Sequence, residues 1–213
     1  LWQRLPPQAI APLREARVLN GDSITPLCIG AADGAAEELG WLVPNHHIRA
    51  AALGAAMSRA AVRLLCDARV VALESGPTAA QVTLADGRVL RAALVVAADS
   101  RMSQTRRMAG IGAWMHDFGR SAILGRVAHA RPNDAIAWEC FRHGNTLALL
   151  PLNDRMASAV VTVPSDQAPI GMGLDDAAFA GRVQDQSSAC LGAMQAVGPR
   201  HLYPLVGVYS HRF

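Results

Sequence analysis

The spacing of apolar positions changes several times along the chain, and each change predicts an element. From Arg14 to Val43, short apolar runs are separated by turn residues. Arg17-Val18-Leu19 leads into Asn20-Gly21-Asp22, a turn with glycine where positive φ is needed. Pro26 to Ile29 and Gly40 to Val43 read as further short strands, the second stopped by Pro44. Between His46 and Leu65 the period lengthens. Ile48, Leu53, Met57, Val62 and Leu65 recur at roughly helical spacing with alanines between them, and Asn45 is a suitable N-cap.

A β-meander follows. Ala68 to Leu73 predicts one strand, Gly76-Pro77 a turn, Gln81 to Leu84 the next strand, and Asp86-Gly87 a hairpin into Val89-Leu90. Ala93 to Ala98 is a continuous apolar run, the pattern of a strand buried on both faces. It ends at Asp99-Ser100, and a short helix is expected from about Ser103 to Met108. In the second half, Ser121 to Ala128, Ile136 to Phe141, Thr146 to Leu150 and Ala157 to Val163 predict strands. Pro164 to Gly173 reads as loop, Asp175 to Met194 as helix broken near Gly192, and Leu202 to Tyr209 as a last strand. The expected class is α/β with α+β character, because much of the sheet is antiparallel.

Composition narrows the functions. Of 213 residues 51% are hydrophobic and 17% charged, which is core-forming material and excludes global disorder. The net charge of +3, carried by scattered arginines, supplies no basic stripe, so no nucleic-acid partner is expected. Cys28, Cys66, Cys140 and Cys190 are too widely spaced for a zinc site or a disulfide scaffold and read as buried reduced thiols. The most apolar stretch, around Ala50 to Leu65, is interrupted by Arg59 and Arg63, which argues against a membrane span. No signal peptide is read at the start, and a cytoplasmic location is expected. His46-His47 is a weak metal pair, since adjacent helical residues point apart, and no metal is expected. His129 is read either as lining the substrate side of a sheet or as a surface histidine. Both ends, Leu1 without an initiator Met and His211-Arg212-Phe213 after a strand-like run, read as cut.

The richest segment is Val95-Val96-Ala97-Ala98-Asp99-Ser100-Arg101-Met102-Ser103-Gln104-Thr105-Arg106-Arg107. An acid at the end of an apolar run, just before a helix, lies where open α/β sheets bind ligands. Read from the residues alone, Asp99 or Ser103 serves equally well as a cap for that helix. The segment resembles the Gly-Ala-Asp-Gly-x-x-Ser-x-x-Arg motif of flavoprotein aromatic hydroxylases, with Asp99, Ser103 and Arg106 matching and Ser100 in place of the usual glycine. Gly40 to Arg49 resembles the Val-Glu-Asn segment that opens a cofactor-touching helix in ubiquinone-biosynthesis hydroxylases, Pro44 replacing Glu and Asn45 matching. Ala137-Trp138-Glu139-Cys140-Phe141 with Asn145 to Leu152, and Tyr203-Pro204-Leu205, resemble further stretches of that subfamily in the same order.

The resemblance implies an FAD-dependent monooxygenase that uses NAD(P)H and dioxygen to hydroxylate an aromatic ring, with a prenylated phenol on the route to ubiquinone as substrate. It implies Asp99, Ser100, Asn45 and Arg106 as cofactor-binding residues and leaves the catalytic residues open. It also implies peripheral attachment to the inner membrane or a place in a multi-enzyme assembly. The expected organisation is substrate-side strands over 1–42, a remnant of a Rossmann-like FAD domain over 43–108, and a mostly antiparallel substrate sheet over 109–213. Two family motifs are not found. Gly110-Ile111-Gly112 and Gly171-Met172-Gly173 do not continue to the third glycine of a dinucleotide fingerprint, and no Gly-Asp-Ala motif occurs. Three possibilities stay open: an inactive internal piece of a hydroxylase, an enzyme completed by a second polypeptide, or a non-catalytic β-sheet module binding a lipid or protein.

Overall fold

The structure is a computed structural model that describes residues 1–31, 37–142, 144–153 and 155–212. Part of the strand-rich stretch expected before Val43 (residues 32–36), His143 and the terminal Phe213 lie outside the described residues. The strands are β1 (Ala11–Leu13), β2 (Glu15–Asn20), β3 (Leu27–Gly30), β4 (Gly40–Leu42), β5 (Val70–Ser75), β6 (Ala80–Leu84), β7 (Val89–Ala92), β8 (Ala113–His129), β9 (Ile136–Arg142), β10 (Asn145–Asn153), β11 (Met156–Pro164) and β12 (Met194–Ser210). The helices are α1 (Asn45–Met57), α2 (Gln104–Met108), α3 (Ala168–Gly173) and α4 (Asp176–Gln186). The expected mixture of helix and largely antiparallel sheet is what forms.

Contacts divide the chain into two units, Leu1–Arg59 with Gly119–Leu205, and Ala60–Phe118 with Val206–Phe213. The first holds most of a seven-stranded sheet in the order β12-β8-β11-β10-β9-β2-β3. Pairings from β8 through β9 and between β2 and β3 are antiparallel, whereas β2 runs parallel to β9. Strict alternation builds this sheet. On β10, Leu147 and Leu149 are buried, and on β11 so are Ala157, Ala159, Val161 and Val163. With Ile123 and Val127 of β8 they pack against Phe179, Ala180 and Val183 of α4. Those three residues fall on one helical stripe, and each large apolar side chain buried there contributes about 1.5–3 kcal/mol. Asp175 starts α4 by accepting a hydrogen bond from the Ala178 amide at 2.7 Å. Gly125 permits the close approach of helix and sheet, since a Cβ there would stand 2.8 Å from the Phe179 ring.

The second unit is built on the three-stranded meander β5-β6-β7. Val70 to Leu84 and Thr83 to Val89 pair in antiparallel register, as the Asp86-Gly87 turn predicts.

Several expectations are corrected. The helix expected over 46–65 ends at Met57. The Ser58 hydroxyl donates to the Ala55 carbonyl at 2.9 Å, taking the acceptor that residue 59 needs to continue the helix. Asn45 is the first helical residue rather than the cap, and Pro44 stands at the cap position. The apolar run 93–98 forms no ladder strand. Leu94 and Val96 are 77% and 76% exposed. Apolar composition makes a strand only where neighbours take its backbone groups, and none of the described residues does so here. Residues 165–173 are helical rather than loop, with a 3-10 turn at Ser165–Gln167 running into α3, whose first turn tolerates Pro169. The last helix stops at Gln186, after which Ser188 and Ala189 adopt positive φ and turn the chain into β12. The cysteines are free, but only Cys140 is fully buried, while Cys28 and Cys66 are exposed.

Candidate active site

In the second unit, Asp99 lies at a bend between the apolar run and α2. Its Oδ1 accepts from the Ser103 hydroxyl at 2.5 Å, and its Oδ2 accepts from the Thr105 amide and the Thr105 hydroxyl, both at 3.0 Å. These donors, Ser103 first, hold the Asp99 carboxyl well below the usual carboxylate range. Ser103 is the true cap of α2, accepting from the Arg106 amide at 2.8 Å. Thus the carboxylate acts first on its own turn. Ser100 has φ +79, the left-handed region that glycine occupies without strain. The position where the motif usually has glycine therefore does require glycine-like geometry.

The same segment lines a cavity of about 430 Å³. Its wall includes Ser100, Ser103 and Thr105, the guanidinium-bearing Arg101, Arg106 and Arg212, and the apolar Val95 and Val96, with no acidic side chain among the lining residues. Arg106 donates to the Ile111 carbonyl at 2.7 Å, while its buried Nε finds no partner among the described residues. A buried N–H without an acceptor is costly unless a ligand supplies one. Three guanidinium groups beside hydroxyls make an environment suited to phosphate oxygens, so the residues present fit the anionic part of a dinucleotide. Asp99, Ser100 and Arg106 are thus brought into one segment. Asn45 belongs to the first unit and is exposed at the start of α1.

A second cavity, about 470 Å³, lies wholly within the first unit. Leu42, Val43, Pro44 and His46, where β4 leads into α1, form part of its wall, and the face of the sheet opposite α4 forms the rest. That face carries Leu124 and Arg126 of β8, Leu150 and Leu152 of β10, Ser158 of β11 and His201 of β12. Alternation fixes it, because these residues are interleaved with the core residues just described. Glu139 of β9 pairs with Ala148, two residues from Leu150 on the same face, and burial pushes its carboxyl upward. His129 falls on the core side. It is 6% exposed with Nδ1 2.6 Å from the Arg131 carbonyl oxygen, so it is neither a substrate-side nor a surface histidine. Arg126 was not singled out in the sequence. Its signal was available as a charged residue at an open-face position of the otherwise apolar run from Ser121 to Ala128. Among the described residues no group of three or more His, Cys, Asp or Glu is placed to hold a metal ion, and no helix is long and apolar enough to cross a membrane.

The fold is shared with solved flavin-dependent monooxygenases. Superposition with Pseudomonas aeruginosa PqsL in complex with 2-aminobenzoylacetate gives a TM-score of 0.70 at 22% identity, covering 89% of this chain and 56% of that one. Klebsiella pneumoniae HpxO complexed with FAD and uric acid gives 0.65 at 16% identity, covering 93% and 52%. At these identities the likeness establishes the fold. In sequence, the chain is 40% identical over 217 residues to the ubiquinone hydroxylase UbiM of Neisseria meningitidis, covering 100% of this chain and 47% of UbiM. It is 34% identical over 214 residues to the ubiquinone hydroxylase UbiL of Rhodospirillum rubrum, covering 100% and 49%. Over its whole length the chain is thus similar to ubiquinone hydroxylases. It spans about half the length of the curated relatives it matches. No family model matches it.

Proposed function

We propose that this chain forms part of an FAD-dependent monooxygenase that hydroxylates the ring of a prenylated phenol in ubiquinone biosynthesis. The observation that carries the reading is the pair of cavities, one rich in guanidinium and hydroxyl groups at the Asp99 turn, the other apolar on the open face of the sheet. Asp99 holds the turn in place, Ser100 and Ser103 present backbone and hydroxyl groups, and the orphaned Nε of Arg106 meets the cofactor's phosphates. Asn45 is assigned to the flavin side at the start of α1. FAD held by these residues would supply the redox chemistry of ring hydroxylation, with NADH or NADPH as reductant and dioxygen as the oxygen source. The protein's share is to orient an electron-rich ring and keep water from it, which apolar walls such as Leu124, Leu150 and Leu152 do.

On this reading residues 43–108 contribute to the flavin side, and 1–42 with 109–213 to the substrate-side sheet. A substrate with an isoprenoid tail resides in the bilayer, which places the protein at the inner-membrane periphery or in an assembly that delivers the substrate. The test uses a protein lengthened to the span of its relatives, supplied with FAD, NADH or NADPH, a prenylated phenol and isotopically labelled dioxygen. A product gaining one labelled oxygen is expected. Reduced-nicotinamide consumption without ring hydroxylation, or oxygen drawn from water, would overturn the reading.

A further inference from the structure

We propose that Arg126 is the polar anchor of the substrate cavity, binding the phenolic oxygen of the ring and favouring its phenolate form. The proposal rests on the hydroxylase reading above and adds a specificity residue to it. The cavity walls are mostly aliphatic, with Leu124, Leu150 and Leu152 on the sheet side. Such walls hold a hydrocarbon tail and leave the polar contacts to Arg126, Ser158, His46 and His201; a hydroxyl that met none of them would be strongly disfavoured. Among the described lining residues Arg126 alone carries a guanidinium. It sits directly across the β8–β11 ladder from Ser158, which in turn faces Leu150. Among the described residues no carboxylate forms an ion pair with it, whereas Arg17, Arg88, Arg142 and Arg200 each have one.

The Arg126 side chain is exposed, and its guanidinium lies against β12. Gly198 of β12 has φ +74, and a Cβ there would stand 2.8 Å from Nη2 of Arg126. A glycine in a left-handed conformation thus leaves the space that the guanidinium fills, and its remaining N–H donors are available to a ligand. A phenol oxygen on that fork gains charge-assisted hydrogen bonds, which strengthen as the O–H proton passes to bulk water. The phenolate ring is the electron-rich form that oxygen transfer consumes. Arg126 thereby acts as a positioning residue that also selects for a free hydroxyl.

The experiment titrates this chain with 2-geranylphenol and with its O-methyl ether, following binding by tryptophan fluorescence and ionisation by the near-UV phenolate band. The native chain is expected to bind the phenol about tenfold or more tightly than the ether, the yield of one charge-assisted hydrogen bond. Its phenolate band should appear at a lower pH than that of the free phenol. Arg126→Gln should abolish both the preference and the shift while leaving affinity for the ether unchanged, and Arg126→Lys should retain part of each. The native-chain spectrum needs no variant, so a misfolded Arg126→Gln leaves the proposal testable. If the native chain binds phenol and ether equally, or Arg126→Gln keeps the preference, the Arg126 assignment is overturned and the hydroxylase reading stands. If the native chain binds neither, the Arg126 assignment is overturned, while the hydroxylase reading is decided by the labelled-oxygen experiment on the lengthened protein.

Discussion

Ser100→Gly offers a sharp test of the turn proposed to meet the cofactor. Ser100 sits at φ +79, where an L side chain costs about 1–2 kcal/mol because Cβ crowds its own backbone. Glycine removes that cost but gives the unfolded chain more freedom, which takes back about 0.4–1 kcal/mol. The net expectation is stabilisation of up to about 1.5 kcal/mol, centred near 0.7. Nothing in the contacts opposes it, since the turn's hydrogen bond runs from the Ser103 amide to the Ser100 backbone carbonyl at 3.0 Å and survives the change. For a chain of this size the gain corresponds to a rise in Tm of about 1–4 °C. Urea and thermal denaturation measure it, with Trp114 reporting on the same unit. Ser100→Ala keeps the Cβ and is expected to stay within about 0.5 kcal/mol of the native protein. Destabilisation by more than about 1 kcal/mol in Ser100→Gly would refute the strain argument. It would show that the hydroxyl holds the turn.

Other expectations follow from the same geometry. Gly125→Ala drives a methyl group to within 2.8 Å of the Phe179 ring and should cost about 1–3 kcal/mol in urea denaturation. A neutral result would mean that α4 lies farther from the sheet. The hydrogen bonds that depress the Asp99 carboxyl stabilise the turn fully above the unfolded value near pH 4 and are lost as pH falls from there through the lower folded value. The Thr105 amide resonance should therefore hold steady down to about pH 4 and move only below it, and Asp99→Asn should abolish that transition. Thiol reagents at neutral pH should modify the exposed Cys28 and Cys66 first. Cys140, whose thiol burial pushes up to about 11, should react only on unfolding. Early loss of the Cys140 thiol, followed by peptide mapping, would contradict the packing of β9.

Elements governed by their own pattern were legible in the sequence. Alternation on β10 and β11 is imposed by one buried and one open face, and the Asp86-Gly87 hairpin by its own turn chemistry. The ends of α1 and α4 were not, because single local events decide them: the Ser58 hydroxyl takes the Ala55 carbonyl, and Ser188 and Ala189 turn the chain through positive φ. The run 93–98 misled for a different reason. Its composition encodes burial, whereas strand formation depends on partners that no residue in the run specifies. At the Asp99 turn, the motif pattern located the segment, but the exchange of roles, with Ser103 capping and Asp99 bracing, needed distances. The cavity on the open face emerged only when the sheet order brought Arg126, Ser158, Leu150 and His201 together from four separate strands.

The most direct measurement is an FAD titration of a protein lengthened to the span of its relatives, compared in the native form and as Arg106→Gln. The account predicts flavin retained through gel filtration by the native protein and at least about tenfold weaker binding in the variant, the loss of a charge-assisted contact to phosphate. Flavin bound equally well by both, or by neither, would contradict it.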